Sequence, residues 1–528
     1  MVQDNIENIF IENYNKQDMV NVLFFNETYC KIECDYYIAD EISERFTFEV
    51  PGSRFTPLYK KKLWDGKIRL YKQRDSILYS GLIWELEKFC QERDYHINID
   101  ERYKQPLNGD ISDFLNGLDI YSNHTKITLR NAQIEAIRHA LDNPRSILVS
   151  PTASGKSAII YSITQYLTKH LGLSGLIVVP RVALVNQMFS DFADYSDISE
   201  DEMEKFIHTI SSGKEKNSDK QITISTWQSL IKLDKSYFEK YDFIIVDECH
   251  EAKANSLIHI TESCTNARYR IGTTGTLDGK NTNKNVLIGL FGPVKTVTTY
   301  QEMIERNEIP DVEIKCVILE HSEYKDWYKK YTSDLKKVGK EPAKKGTQKY
   351  KEELNYLISS KNRNLFLRNL ALSQEKNTIL LVDMVDNHAE VLYDMIKNYK
   401  GIGDRKVYLL VGKVNAIKRE QYRKEIEKQN NAIIIGTYGV LSTGINIKNI
   451  HSIIFASPSS KGRVRNLQSL GRGLRKLDGK EKAVLYDISD DLRLRKNSKS
   501  NYTLSHLQER VSIYSAEKLK YKFINITI

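Results

Sequence analysis

Residues 150–157 read SPTASGKS. They follow the apolar run RSILV (145–149) and precede AIIYSITQYL (158–167), whose apolar residues recur with helical spacing. A loop of small residues that joins a strand to a helix and ends in Gly-Lys-Ser cradles phosphate. Backbone N–H groups at the helix start face the anion, and the helix dipole favours its charge. A strict phosphate loop reads G-x-x-x-x-G-K-[ST]. Here Ser150 replaces the first glycine and Ala153 occupies a position often held by glycine, whereas Gly155, Lys156 and Ser157 match. Ser154, Gly155, Lys156 and Ser157 are therefore candidate nucleotide-binding residues. Lys156 would meet the β- and γ-phosphates of ATP, and Ser157 would ligate Mg2+.

Working outward, five apolar runs read as strands: SILVS (146–150), LIVVP (176–180), ITIST (222–226), FIIVDE (243–248) and RIGTTG (270–275). Their near-continuous apolar character suits parallel strands buried on both faces, with amphipathic segments such as 181–193 between them. This predicts a doubly wound α/β domain. A second series, TILLVD (378–383), KVYLLVG (406–412), AIIIGT (432–437), SIIFAS (452–457) and AVLYDI (483–488), predicts another. Tandem units of similar size place a cleft between them, where ligands prefer to sit.

Two further stretches carry chemistry. FIIVDECH (243–250) ends a buried strand in two carboxylates. Asp247 is placed to hold Mg2+, directly or through water, and Glu248 to polarise a water for attack on the γ-phosphate. In the second unit, QSLGRGLRK (468–476) sets Arg472 and Arg475 three apart, on one face of a helix. Cations there would stabilise transition-state charge on a nucleotide held by the first unit.

Composition sets bounds. A chain of 528 residues suggests about three domains, and a hydrophobic fraction of 41% supports globular cores. No apolar run approaches the ~18 residues that span a membrane. The start, MVQDNIENIFIENYN, is acidic and broken by polar residues, unlike a secretory signal. A soluble protein of the cytoplasm is expected. The six cysteines are scattered, without paired C-x-x-C spacing, and read as reduced thiols. A formal net charge of +9 fits a polyanionic partner without requiring one.

Before the first α/β unit, YKKKLWDGKIRLYKQRDSILYSG (59–81) alternates aromatic and basic residues around turns at Asp65-Gly66 and Gly81. It reads as a small β-containing module followed by a helix over 82–95. Lys61, Lys62, Trp64, Lys67 and Arg69 are candidate DNA contacts, the cations for phosphates and the aromatic for stacking. The alternative is a small core that includes Trp64 and Tyr71, with a lysine fringe. Because every ATP station lies beyond Arg130, residues 1 to about 105 are expected to be removable without loss of the ATP site. Between the α/β units, residues 324–357 are lysine-rich and dotted with aromatics. They suit either a solvated helical linker or a surface that tracks a phosphate backbone.

SPTASGKS, DECH and QSLGRGLR, in that order on tandem α/β units, resemble motifs I, II and VI of superfamily-2 helicases. LRNAQIEAI (129–137) resembles the segment ahead of motif I, which puts Gln133 at the adenine. VVPRVALVNQ (178–187) and STWQSL (225–230) resemble strand-gripping motifs and nominate Pro180, Arg181, Thr226, Trp227 and Gln228. GTTGTL (272–277) resembles motif III. VGKVNAIKRE (411–420) and IIIGTYGVLSTGINIKNI (433–450) resemble motifs IVa and V. They nominate Gly412 and Thr437 for nucleic acid, and Gly444 and Asn446 for nucleotide; motif VI adds Gln468 beside the arginines. FTPLYKKKLWDGKIRLY (55–71), ahead of this core, narrows the resemblance to phage recombination helicases of the UvsW type.

The resemblance implies an α/β fold of two tandem RecA-like doubly wound parallel-sheet domains with a small α+β N-terminal domain. The implied division is an N-terminal DNA-binding domain (1–120), a first RecA-like domain (121–298) and a second (299–528). The last would hold a lysine-rich insertion near 321–360 and a helical C-terminal tail. It implies an ATP- and Mg2+-dependent helicase or translocase that unwinds branched or forked DNA, regresses forks and migrates junctions in recombination, replication and repair. An RNA or RNA–DNA hybrid helicase, and an ATP-independent nucleic-acid-binding protein, stay open as alternatives.

Overall fold

In the computed structural model, each apolar run named above forms a strand, because its uncharged stretch tolerates burial on both sides of a sheet. The structure describes residues 18–104, 111–210, 215–250, 254–275, 277, 281–343, 346–438, 447, 449–457, 482–495 and 498–528. Two compact units are described separately: residues 1–150 with 155–297, and 298–528 with 151–154.

The first unit contains a 7-stranded sheet. Its order is Ile207–Ile210, Ile222–Thr226, Gly175–Val179, Phe243–Val246, Tyr269–Thr274, Arg145–Val149, Val294–Thr296. All its pairings are parallel. Alternate residues feed two cores: Ile147, Val178 and Ile244 face one, and Leu148, Ile177 and Ile245 the other. The short strands Ile207–Ile210 and Val294–Thr296 escape the sequence reading because each is only a few residues at a sheet edge.

The N-terminal module is a 5-stranded mixed sheet with helices Tyr36–Arg45 and Ile83–Glu92. Here the structure departs from expectation. The module's core is continuous with one face of the α/β sheet: Val20, Ile42, Leu78 and Phe89 belong to the same cluster as Ile147, Leu257 and Phe291. The backbones approach closely as well. A Cβ on Gly81 would lie 2.5 Å from the carbonyl oxygens of Ile288 and Gly289. Buried polar contacts fix the register. Arg270, fully buried, donates to the carbonyls of Thr261 and Ala267, each at 2.9 Å, and to Thr28 Oγ1 at 2.7 Å. Tyr79 Oη donates to Glu262 Oε1 at 2.7 Å, and Tyr29 Oη reaches the same oxygen. Arg145 pairs with Glu27. A module so embedded is not cleanly removable, because its removal uncovers apolar core and orphans buried donors.

The second unit repeats the architecture in a 7-stranded sheet, ordered Val407–Leu410, Ile433–Thr437, Thr378–Val382, Ser452–Phe455, Lys482–Asp491, Asp311–Glu320, Tyr521–Thr527. All its pairings are parallel. The tail is thus more than helical. After the helix Tyr502–Ala516 it returns as a strand alongside Asp311–Glu320. That helix is anchored by Arg510 Nε, which donates to Asp487 Oδ1 at 2.9 Å and Oδ2 at 2.8 Å. The lysine-rich stretch forms helices Tyr324–Lys337 and Thr347–Ser359. Tyr324, Tyr356 and Leu357 turn inward with Leu492, while Lys325, Lys329, Lys330, Lys336 and Lys337 are exposed.

Candidate nucleotide site and nucleic-acid stations

Phe243–Val246, Tyr269–Thr274 and Arg145–Val149 are consecutive parallel neighbours in the first sheet. Their C-terminal ends therefore bring Asp247 and Glu248, Thr273 to Gly275, and the loop 150–155 to one edge. The helix Lys156–Gln165 starts at Gly155, whose φ of 82° is left-handed. A Cβ at Gly155 would sit 2.2 Å from Gln133 Nε2, so glycine is required by both backbone and space. Ala153 (φ 73°) and Glu248 (φ 48°) are also left-handed, at a cost of roughly 1–3 kcal/mol each.

Lys156 Nζ donates to Glu248 Oε1 at 2.6 Å, with both side chains 14% exposed. His250 Nδ1 lies 3.3 Å from Glu248 Oε2 and contacts Thr274 Oγ1. Thr273 Oγ1 donates to Asp247 Oδ1 at 2.7 Å, and the Glu248 N–H to the same oxygen at 2.9 Å. The electrostatics follow. Burial alone would lower the Lys156 ammonium, but Glu248 and Asp247 outweigh it and raise its pKa. Burial opposes ionisation of Glu248, yet Lys156 and His250 hold its pKa below the ordinary value. Asp247 goes the other way: burial raises it against the pull of Lys156. A carboxylate in that condition gains from a nearby divalent cation.

Ser157 Oγ lies 2.7 Å from Tyr195 Oη. A hydroxyl and a carboxylate are hard oxygen donors of the kind Mg2+ takes. Gln133 is buried, and its Oε1 accepts the Arg130 N–H at 2.8 Å, which orients the amide beside the loop. Ser154 is buried, its Oγ donating to Pro151 O at 2.7 Å. The structure thus brings together Gln133, Gly155, Lys156, Asp247 and Glu248. Gly444, Asn446, Gln468, Arg472 and Arg475 lie outside the described residues. Tyr195, Thr273 and His250 received no role from the sequence. His250 stands inside DECH and was visible there; Tyr195 reaches the loop from a neighbouring helix, which no local pattern announces.

The nominated nucleic-acid contacts of the first sheet follow the ends of Gly175–Val179 and Ile222–Thr226, neighbours in the sheet. Arg181 and Gln228 are exposed, and Gln228 Nε2 donates to Pro180 O at 3.2 Å. Pro180, Thr226 and Trp227 are buried. Trp227 packs in the core and Thr226 Oγ1 caps a helix by accepting the Ser229 N–H, so neither side chain presents itself to a strand. Gly412 is exposed and Thr437 buried. In the N-terminal module, Lys61, Lys62, Lys67 and Arg69 are exposed, and Arg69 pairs with Asp65 at the surface. Trp64 is half-buried, its indole N–H donating to Lys67 O at 2.9 Å, and Tyr71 is core.

Comparison with known proteins finds similar helicases. A family model described as "DNA helicase UvsW, N-terminal" covers residues 19–100, and one described as "Type III restriction enzyme, res subunit" covers residues 126–279. The ATP-dependent DNA helicase uvsW of Enterobacteria phage T4 is 29% identical over 523 residues, spanning 96% of this chain and 100% of that protein. The chain belongs to the UvsW-type helicases of superfamily 2. The crystal structure of T4 UvsW aligns at 28% identity over 96% of this chain and 99% of its own, with a TM-score of 0.49. Dbp5 of S. cerevisiae, bound to RNA and ADP BeF3, aligns at 14% identity over 75% of this chain and 90% of its own, with a TM-score of 0.50, a likeness of fold alone. The fold of this UvsW-type chain is accordingly two tandem RecA-like domains with a small N-terminal domain.

Proposed function

We propose that the chain is an ATP-dependent DNA helicase or translocase that remodels branched DNA, using Mg2+ with ATP. One observation carries this: Lys156, after the strand Arg145–Val149, meets Glu248, which with Asp247 follows the strand Phe243–Val246, in a chain alignable along nearly its whole length with the T4 helicase. Mg2+, when bound, would neutralise phosphate charge, with Ser157 and Asp247 as its protein-side holders. Lys156 would exchange Glu248 for the β- and γ-phosphates. The freed Glu248 carboxylate would then accept a proton from the attacking water, with His250 and the Gly275 N–H fixing its other oxygen. Gln133 is proposed to read the adenine edge; Arg472, Arg475 and Gln468 are proposed to stabilise the transition state, and Gly444 and Asn446 to hold nucleotide, on their motifs. Arg181, Gln228, Gly412 and backbone groups beside Thr226 and Thr437 would grip phosphates without reading sequence.

The test measures ATPase rate with duplex DNA, forked DNA, single-stranded DNA and RNA as separate activators, and strand displacement on the fork. Forked DNA is expected to stimulate most strongly. Stimulation by RNA above every DNA would favour the RNA-helicase alternative, and hydrolysis indifferent to all four would reject the proposal.

A further inference from the structure

The strands Thr47–Glu49 and Lys67–Arg69 form a two-stranded antiparallel ribbon. The loop they carry, residues 50–66, places three large apolar side chains in water: Phe55 is 81% exposed, Leu58 54% and Leu63 71%. Scattered exposed hydrophobics are ordinary. These three fall within nine residues, and among the described residues no other stretch of nine holds three. The loop is also well braced. Val50 N–H donates to Gly66 O at 2.8 Å, Phe55 N–H to Gly52 O at 3.0 Å, and Leu63 N–H to Leu58 O at 2.9 Å. Thr56 caps the short helix Pro57–Lys60 by accepting the Tyr59 N–H. Gly66, left-handed at φ 81°, lets the backbone come so close to Ser53 that a Cβ would lie 2.6 Å from its Oγ. Apolar side chains that could have folded inward are instead held outward on fixed backbone.

Charge identifies what covers them. Lys60, Lys61 and Lys62 lie between Leu58 and Leu63 in the chain and are all exposed. Apolar tips among cations match a partner that alternates apolar faces with anionic groups. Nucleic acid at a branch has this character, because its terminal base pairs expose π-faces between phosphates. We propose that Phe55, Leu58 and Leu63 form a wedge that contacts unstacked bases at a DNA branch point, with Lys60, Lys61 and Lys62 on the flanking phosphates. The proposal rests on the helicase function above and names the part that meets the junction. It also moves the base contact away from Trp64, whose indole N–H is engaged within the ribbon.

The test uses the full chain with the double substitution Phe55→Ala, Leu63→Ala, and a fork carrying 2-aminopurine at the first paired base. Wild type is expected to raise the 2-aminopurine fluorescence on binding. The double variant is expected to lose that rise and to bind the fork about tenfold more weakly. Its single-strand-stimulated ATPase and melting temperature should match wild type, because the substituted side chains lie in water. Lys61→Ala, Lys62→Ala should weaken fork binding and flatten its salt dependence but keep the rise in the bound fraction. A double variant with wild-type fork affinity and fluorescence rise overturns the wedge alone. So does a drop in melting temperature, which would make the pair structural. Loss of binding to anionic phospholipid vesicles with fork affinity kept overturns it in favour of a membrane surface. A wild-type protein whose ATPase ignores DNA sinks the helicase function and the wedge with it.

Discussion

Glu248→Gln separates two things the carboxylate does. In the described state it neutralises Lys156 across 2.6 Å, with each side chain only 14% exposed. A hydrogen bond between charged groups at such a site contributes roughly 1.5–3 kcal/mol. ATP must displace that bond before Lys156 can meet phosphate, so the bond opposes nucleotide binding by up to that amount. Glutamine keeps the shape and removes the charge. Asp247 still attracts Lys156, which puts the gain at the low end. ATP is therefore expected to bind about tenfold more tightly, since ~1.4 kcal/mol is a factor of ten. Hydrolysis should fall at least ~100-fold with the loss of the general base. The nucleotide-free protein should melt lower than wild type, because Lys156 keeps one carboxylate instead of two, and ATP should restore it. Titration with a fluorescent ATP analogue gives the affinity, and single-turnover hydrolysis gives the chemical step. Turnover lost with affinity unchanged or weakened would refute the competition between Glu248 and phosphate for Lys156.

Lys156→Ala should abolish hydrolysis while leaving DNA binding intact, which filter binding and ATPase assays on one preparation will check. At subsaturating forked DNA the stimulated ATPase should fall steeply with salt, since each neutralised phosphate releases counterions; a flat response would remove the exposed lysines from the footprint. Arg270→Met should destabilise the first unit by about 3 kcal/mol in denaturant unfolding, because buried carbonyls of Thr261 and Ala267 lose their donor. A loss below ~1 kcal/mol would mean that the module's docking does not depend on it.

The parts of the site that were legible in the sequence are those whose chemistry sits at strand ends. A strand buried on both faces has to be apolar, so the first charged residues after FIIV stand out, and Lys156 stands out after a run of small residues. What local pattern could not show are contacts made by pairing across long separations. Tyr521–Thr527 pairs with Asp311–Glu320 about two hundred residues earlier, and its own sequence, YKFINIT, is that of a half-exposed edge. Trp227 is nominated by the resemblance of STWQSL to a strand-gripping motif, but its indole packs in the core. The N-terminal module looked separable because its motifs are remote from the ATP stations. Nothing local in Glu27, Thr28 or Glu262 signals that they bind one another's elements.

That docking also has a mechanical consequence. Arg145 and Arg270 lie in register near the start of two neighbouring strands whose other ends lead to the loop 150–155 and to Gly275. The module holds Arg145 through Glu27 and Arg270 through Thr28, and it shares a core with that face of the sheet. Parallel strands paired along five positions and buried on both sides do not stretch or bend without breaking their ladder, so the module, Thr273 to Gly275 and the helix that starts at Gly155 belong to one unit. Whatever the loop 50–66 grips is therefore carried by the unit that holds Lys156, Asp247 and Glu248. A wedge mounted this way needs no closing movement of its own. It is displaced whenever the first unit is displaced, which is how a contact remote from the ATP can still be driven by it.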